Sequence, residues 1–181
     1  MNFSWAFLLN KNYYFRREMN KIELELWTKI KQFEFDDPSD SLTFSARLAR
    51  ENGWDLTFAL QVILEYKKFM FLLCIATAPL TPSDEVDQAW HLHLIYTKLY
   101  WNDWCTKTLE KQIHHGPTKG GESEKLKFEN LYENTKSLYL EKFGSKPPEN
   151  IWPDNKVRFK NNKFVRINID INWVIKKPYR I

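Results

Sequence analysis

The chain has 181 residues, 43% of them hydrophobic and 16% aromatic, which is ample material for one packed domain. Only five glycines occur, so a Gly-rich or low-complexity chain is excluded, and no apolar run reaches the roughly 20 residues of a membrane span. The net charge of +4 is unevenly distributed: Lys156 to Ile181 holds eight Lys/Arg against Asp170 alone, leaving 19 of the 27 basic and 22 of the 23 acidic residues in the first 155.

Residues 1–18 read as an extension, disordered or a misassigned start. The apolar stretch Trp5–Leu9 is short, and Arg16 and Arg17 follow it rather than precede it, unlike a secretory signal. Residues 20–34 predict a first helix, with Ile22, Leu26, Trp27, Ile30 and Phe33 at helical spacing. Asp36-Asp37-Pro38-Ser39 breaks the chain. A second helix follows from Leu42 to Glu51, stopped by Asn52-Gly53. The third helix runs roughly from Asp55 to Thr77. Phe58, Val62, Phe69, Leu73 and Ala76 share one face, and Glu65 lies at its centre, so its carboxylate must reach a cleft or a partner.

The fourth helix starts with Thr81 as N-cap, Pro82 in the first turn and Asp84 completing a capping box. It is expected to continue unbroken to about Glu110, with Val86, Ala89, Trp90, Leu94, Thr97, Tyr100, Trp101 and Trp104 along its apolar arc. A loop from His114 to Gly121 leads into a fifth helix, Glu122 to Phe143, which Gly144 ends. An irregular connector contains Lys146-Pro147-Pro148 and Trp152-Pro153. Finally, Val157–Lys160 and Phe164–Ile171 alternate apolar and polar residues around Asn161-Asn162, the pattern of a hairpin. The expected fold is therefore mainly α: a bundle of about five helices over residues 19–153. A basic β-hairpin tail, 154–181, packs on it, because a lone hairpin is marginal in water.

All four histidines, His91, His93, His114 and His115, fall within twenty-five residues. On an unbroken helix His91 and His93 point about 160° apart and cannot share an ion. His93 sits inside the apolar arc and needs partners for both nitrogens; Glu65, in the same predicament on the third helix, is the natural candidate. That pair reads either as a satisfied core contact or as an acid/base pair, so Glu65 and His93 are the candidate catalytic groups. His91 lies at the border of the arc with Asp87 one turn before it, on the same face. The loop at His114-His115 returns the chain towards that helix. Asp87, His91 and one or both of His114 and His115 could form a nitrogen/oxygen set with an open position for zinc or iron.

Cys74 and Cys105 fall in apolar helical patterns and read as buried free thiols, which points to a reducing, cytoplasmic setting. The loop Gly116–Gly121 lacks the Walker order and a preceding strand.

The stretch Pro82-Ser83, Val86-Asp87, Trp90-His91-Leu92-His93 and Tyr100 resembles the hallmark of the glycine-rich-domain-protein-like family, a helical domain of bacteria, plants and fungi. Its bacterial branch is also similar around His114-His115-Gly116-Pro117-Thr118, Phe143-Gly144, Pro147-Pro148 and Ile151-Trp152-Pro153, so the likeness spans about Phe44 to Pro153. The resemblance implies a helical domain, without an activity that can be carried onto named residues. Plant members attach Gly-rich tails and are linked loosely to development and stress, with a suggested link to RNA; here a basic tail stands in that place.

Three functional readings follow. The first is a soluble helical binding or interaction domain with a His/Asp/Glu pocket and a protein partner. The second is a metal-dependent enzyme, hydrolase or oxygenase in type, using the histidine cluster. The third is nucleic-acid binding through the basic tail, which rests on charge alone.

Overall fold

The computed structural model describes residues 19–117, 120–160 and 167–175, and everything below refers to these. The expected 1–18 extension lies outside them. Helix α1 (Lys21–Gln32) opens with a reciprocal capping box, Asn20 Oδ1 accepting from the Glu23 N–H at 2.9 Å and the Glu23 carboxylate accepting from the Asn20 N–H at 3.0 Å. Helix α2 (Phe44–Asn52) is capped by Thr43 and stops at Gly53, whose φ of 67° is the left-handed stop that glycine adopts at little cost. Helix α3 (Leu56–Ile75) follows from the Asp55 cap, and α4 (Asp84–Ile95) from the Ser83 cap. A π-helix, Leu99–Leu109, continues the chain; α5 spans Glu122–Phe143 and the short α6 spans Asn155–Arg158.

Helix α3 is the axis of the molecule. It packs against α1, α2, α4 and α5. It buries side chains over much of its circumference, among them Val62, Ile63, Tyr66, Phe69, Met70 and Phe71. Such a helix needs neighbours on several sides, which explains why its sequence is apolar almost all round. The aromatic residues concentrate beside it: Phe33, Phe35, Phe44, Tyr66 and Trp104 form one continuous group of ring contacts.

Three expectations need correction. First, no β-strand occurs among the described residues, so the C-terminal hairpin is not formed there. Val157 and Arg158 lie in α6, where the Asp154 carboxylate accepts from the Val157 N–H at 3.0 Å. Arg158 also holds Asp84 at 2.6 Å, in the first turn of α4. A cap and an ion pair of low exposure outweigh two-residue alternation over so short a stretch. Residues 169–171 form a turn closed on Asn168, and residues 161–166 and 176–181 lie outside the described part.

Second, the fourth helix is not continuous. It ends at Ile95, and Tyr96 takes φ −83° and ψ 61°, outside the helical range. The Tyr96 hydroxyl accepts from Arg47 Nε at 2.9 Å, and its ring packs edge-on against Phe44 at 5.5 Å. Contacts to α2 thus fix Tyr96 where helical propensity would have carried it on. The chain resumes in the wider π spacing, with Thr106 and Thr108 hydroxyls donating to the carbonyls of Trp101 and Asp103 five residues earlier. The break and the wider turns re-aim the second half: Thr97 faces solvent while Tyr100, Trp104, Cys105 and Leu109 are buried.

Third, Ser83 rather than Thr81 caps α4, its hydroxyl accepting from the Val86 N–H at 3.3 Å. Thr81 is buried and exchanges bonds with Thr135 of α5, its N–H donating to Oγ1 at 3.1 Å and its carbonyl accepting at 2.9 Å. No helix among the described residues is long and apolar enough to cross a membrane.

Candidate metal centre

Asp87 and His91 lie one turn apart on α4, and His115 comes to them from the loop after the π-helix. His115 Nε2 is 2.7 Å from Asp87 Oδ1, and His91 Nε2 is 3.7 Å from Asp87 Oδ2. The two imidazole centroids are 4.6 Å apart. One ligand atom from each of the three residues lies within 4.8 Å of the others. In a tetrahedral site with bonds near 2.05 Å, ligand atoms stand about 3.3 Å apart. Reaching that spacing requires the Asp87–His115 hydrogen bond to open and the three side chains to draw together from within 4.8 Å of one another. Asp87 and His115 are largely covered, at 22% and 17% side-chain exposure, whereas His91 is 51% exposed and leaves one side of the cluster open to solvent.

A chain of hydrogen bonds brings the loop to the helix. Trp90 Nε1–H donates to the Tyr100 hydroxyl at 3.0 Å, and that hydroxyl donates to the Ile113 carbonyl at 2.5 Å. The Trp90 ring then packs against His115 at 4.2 Å. Trp90 and Tyr100 thereby set the position of His115. Burial pushes the Tyr100 phenol up, which keeps it protonated and able to donate.

The structure separates the remaining histidines. His114 is exposed and lies against Trp101 at 5.4 Å, away from the triad; of the adjacent pair only His115 joins. His93 is fully buried, with its Nδ1 3.0 Å from the Tyr66 hydroxyl and rings of Phe35, Phe44, Tyr100 and Trp104 around it. With Tyr66 as donor, the imidazole proton resides on Nε2, which is buried with no hydrogen-bond partner. Desolvation depresses this imidazole to about 3, so it is neutral at physiological pH.

The expected His93–Glu65 pair does not form. Successive helix positions point about 100° apart, and it is Tyr66 that meets His93. Glu65 turns instead towards α5 and the segment after it. Its carboxylate accepts from Trp152 Nε1 at 2.9 Å, from the Tyr139 hydroxyl at 3.1 Å and from Lys68 Nζ at 2.8 Å. These three donors pair a carboxylate that is 3% exposed. The sequence reading missed Tyr66, Tyr139 and Trp152 because an aromatic residue on a core face carries no mark of whether its polar atom is used.

Both cysteines are free. Burial raises the Cys74 thiol to about 11 and pushes Cys105 up as well, so both stay protonated and are poor ligands. The chemistry available is therefore nitrogen and oxygen ligation. An open groove lined by Asp40, Leu42, Arg47 and Tyr96 and a smaller one lined by Phe35, Leu60, Leu64 and Lys67 contain no residue of the triad. Within the basic tail, Arg158 is committed to Asp84 while Lys156 and Lys160 are exposed. Of the loop Gly116–Gly121, Thr118 and Lys119 lie outside the described residues. Comparison of the chain with protein-family models, curated proteins and solved structures finds no match to any of them.

Proposed function

We propose that this protein is a helical metal-binding domain whose Asp87, His91 and His115 hold one divalent transition-metal ion. Convergence of two imidazoles and one carboxylate from two chain segments carries the reading. Two nitrogens and one oxygen suit zinc or ferrous iron, and three protein ligands leave room for water or an outside ligand. The half-exposed side at His91 is where that ligand would bind. Glu65 and His93 belong to the packing and have no part in it. The ion would act as a Lewis acid on whatever occupies the open position. Resemblance to the glycine-rich-domain-protein-like family is compatible with it, since Asp87, Trp90, His91 and Tyr100 lie in the resembling stretch.

Untagged protein titrated with zinc or ferrous iron in a calorimeter should bind one ion per chain. D87A and H115A should each weaken binding by about 100-fold or more, because each removes a ligand. H114A should bind as the parent does. Equal losses in H114A and H115A, or no saturable binding, would refute the assignment.

A further inference from the structure

The segment Ile167–Ile175 contributes nothing to the proposed metal centre, and it concentrates exposed apolar side chains as no other described segment does. Ile167, Ile169, Ile171, Trp173, Val174 and Ile175 are between 47% and 97% exposed, Trp173 the most. Single exposed apolar residues are ordinary; six within nine positions are not. The segment is also turned rather than extended. The Asp170 N–H donates to Asn168 Oδ1 at 2.9 Å, and Asn172 Nδ2 donates to the Asn168 carbonyl at 2.8 Å. This closes a turn over residues 169–171 and presents Ile169 and Ile171 on its outside, with Trp173 next to them.

Charge supplies the second observation. The sequence from Lys156 to Ile181 contains eight Lys/Arg against one carboxylate, and Lys176 and Lys177 immediately follow the apolar turn. Aliphatic side chains, one fully presented tryptophan and flanking cations together are what an anionic lipid surface recognises: hydrocarbon enters the acyl boundary, the indole settles at the headgroups, and cations meet phosphate and carboxylate. The alternatives use fewer of these features. Pairing with another strand needs an extended edge, which the Asn168 turn interrupts. A polynucleotide would use the cations and stack on Trp173 but leave the isoleucines in water.

We propose that the Ile167–Ile175 turn docks this protein on anionic membrane surfaces. The body stays in water, the turn enters the interface, and the cationic composition of the surrounding sequence supplies the attraction to anionic headgroups. This is peripheral attachment and is independent of the metal reading.

The test uses the full chain with sedimented vesicles of phosphatidylcholine, with and without phosphatidylserine. Binding should require phosphatidylserine and fall steeply with added salt. The double variant I171S/W173S should lose at least about tenfold in partitioning, since it withdraws two of the buried apolar groups. D170N should bind more tightly, as it removes the one carboxylate in the turn. Both variants should melt with the parent, because these side chains are exposed, which separates lost docking from lost folding. The proposal fails if I171S/W173S binds vesicles as well as the parent, or if phosphatidylserine makes no difference. It fails equally if the double variant instead abolishes binding to a polynucleotide or a self-association seen by ultracentrifugation while vesicle binding is absent.

Discussion

His93 shows how far one buried residue can be read from its surroundings. Its imidazole has given up water for aromatic walls and one tyrosine hydroxyl, and burial depresses it to about 3. An unfolded chain protonates the same ring near its ordinary value of about 6.5. Between these values the unfolded state binds more protons, so stability rises with pH in that window and falls as pH drops through it. Below about pH 6 the expected slope from this residue is about 1.4 kcal/mol per pH unit. Urea unfolding at about pH 6 and about pH 4 should show this loss, and H93Q should have a shallower acid-side dependence by about that amount. Equal slopes in the two proteins would mean that His93 is not held neutral. Glu65 is the contrasting case in hydrogen bonding: a carboxylate almost as well buried, yet supplied with three donors.

At the scale of elements, the link between α4 and the π-helix decides the site. An uninterrupted α-helix would carry Tyr100 about 1.5 Å per residue further along the axis of α4. The break at Tyr96 and the wider turns instead bring the Tyr100 hydroxyl under Trp90 and against the Ile113 carbonyl. The loop is tethered there, and His115 follows two residues later. Tyr100 is a positioning residue, since it touches no ligand atom. Y100F should weaken metal binding by about 10-fold while leaving one ion per chain at saturation, the size of effect typical of groups that orient ligands. A Y100F protein with parental affinity and normal folding would show that the loop is held by other contacts. A merely destabilised variant would show a lower unfolding midpoint with unchanged affinity below it.

At the scale of the molecule, stability resides in the packing around α3 and in the segment that clasps it after α5. Trp152 is 2% exposed, stacks on Tyr132 at 5.9 Å and bonds Glu65. Arg158 ties α6 to the start of α4. Replacing Ile169, Ile171 and Trp173 together by serine should by contrast leave the urea midpoint close to the parent value, because these side chains are exposed. Replacing Trp152 by alanine should cost about 3–5 kcal/mol, the range for large buried aromatic residues. It also strands Glu65 with one donor fewer. If that triple variant were as destabilised as W152A, these three side chains would have to pack on the body after all.

Much of this architecture is legible locally. Helix α5 begins at Glu122 and ends at Phe143 before Gly144, and the predicted breaks at Asp36–Ser39 and Asn52-Gly53 are observed. Periodicity and stop signals act within a few residues, so they can be read without a fold. The separation of His91 from His93 is legible for the same reason, and so is the shared face of Asp87 and His91. What the sequence leaves open are choices settled by distant partners. Tyr96 interrupts a helical pattern because Arg47 and Phe44 hold it. Ser83 displaces Thr81 as cap because Thr135 engages Thr81. Glu65 meets Trp152 instead of His93, and His115 is selected over His114 by a hydrogen-bond chain through Trp90 and Tyr100. The alternation that suggests a hairpin yields at Val157–Arg158 to an Asp154 cap and the Asp84 ion pair. By itself the sequence determines where helices can start and stop and which side chains share a face, since those follow from backbone geometry over one or two turns. Tertiary structure alone decides which buried polar group finds which partner, because that choice depends on distances between elements remote in the chain.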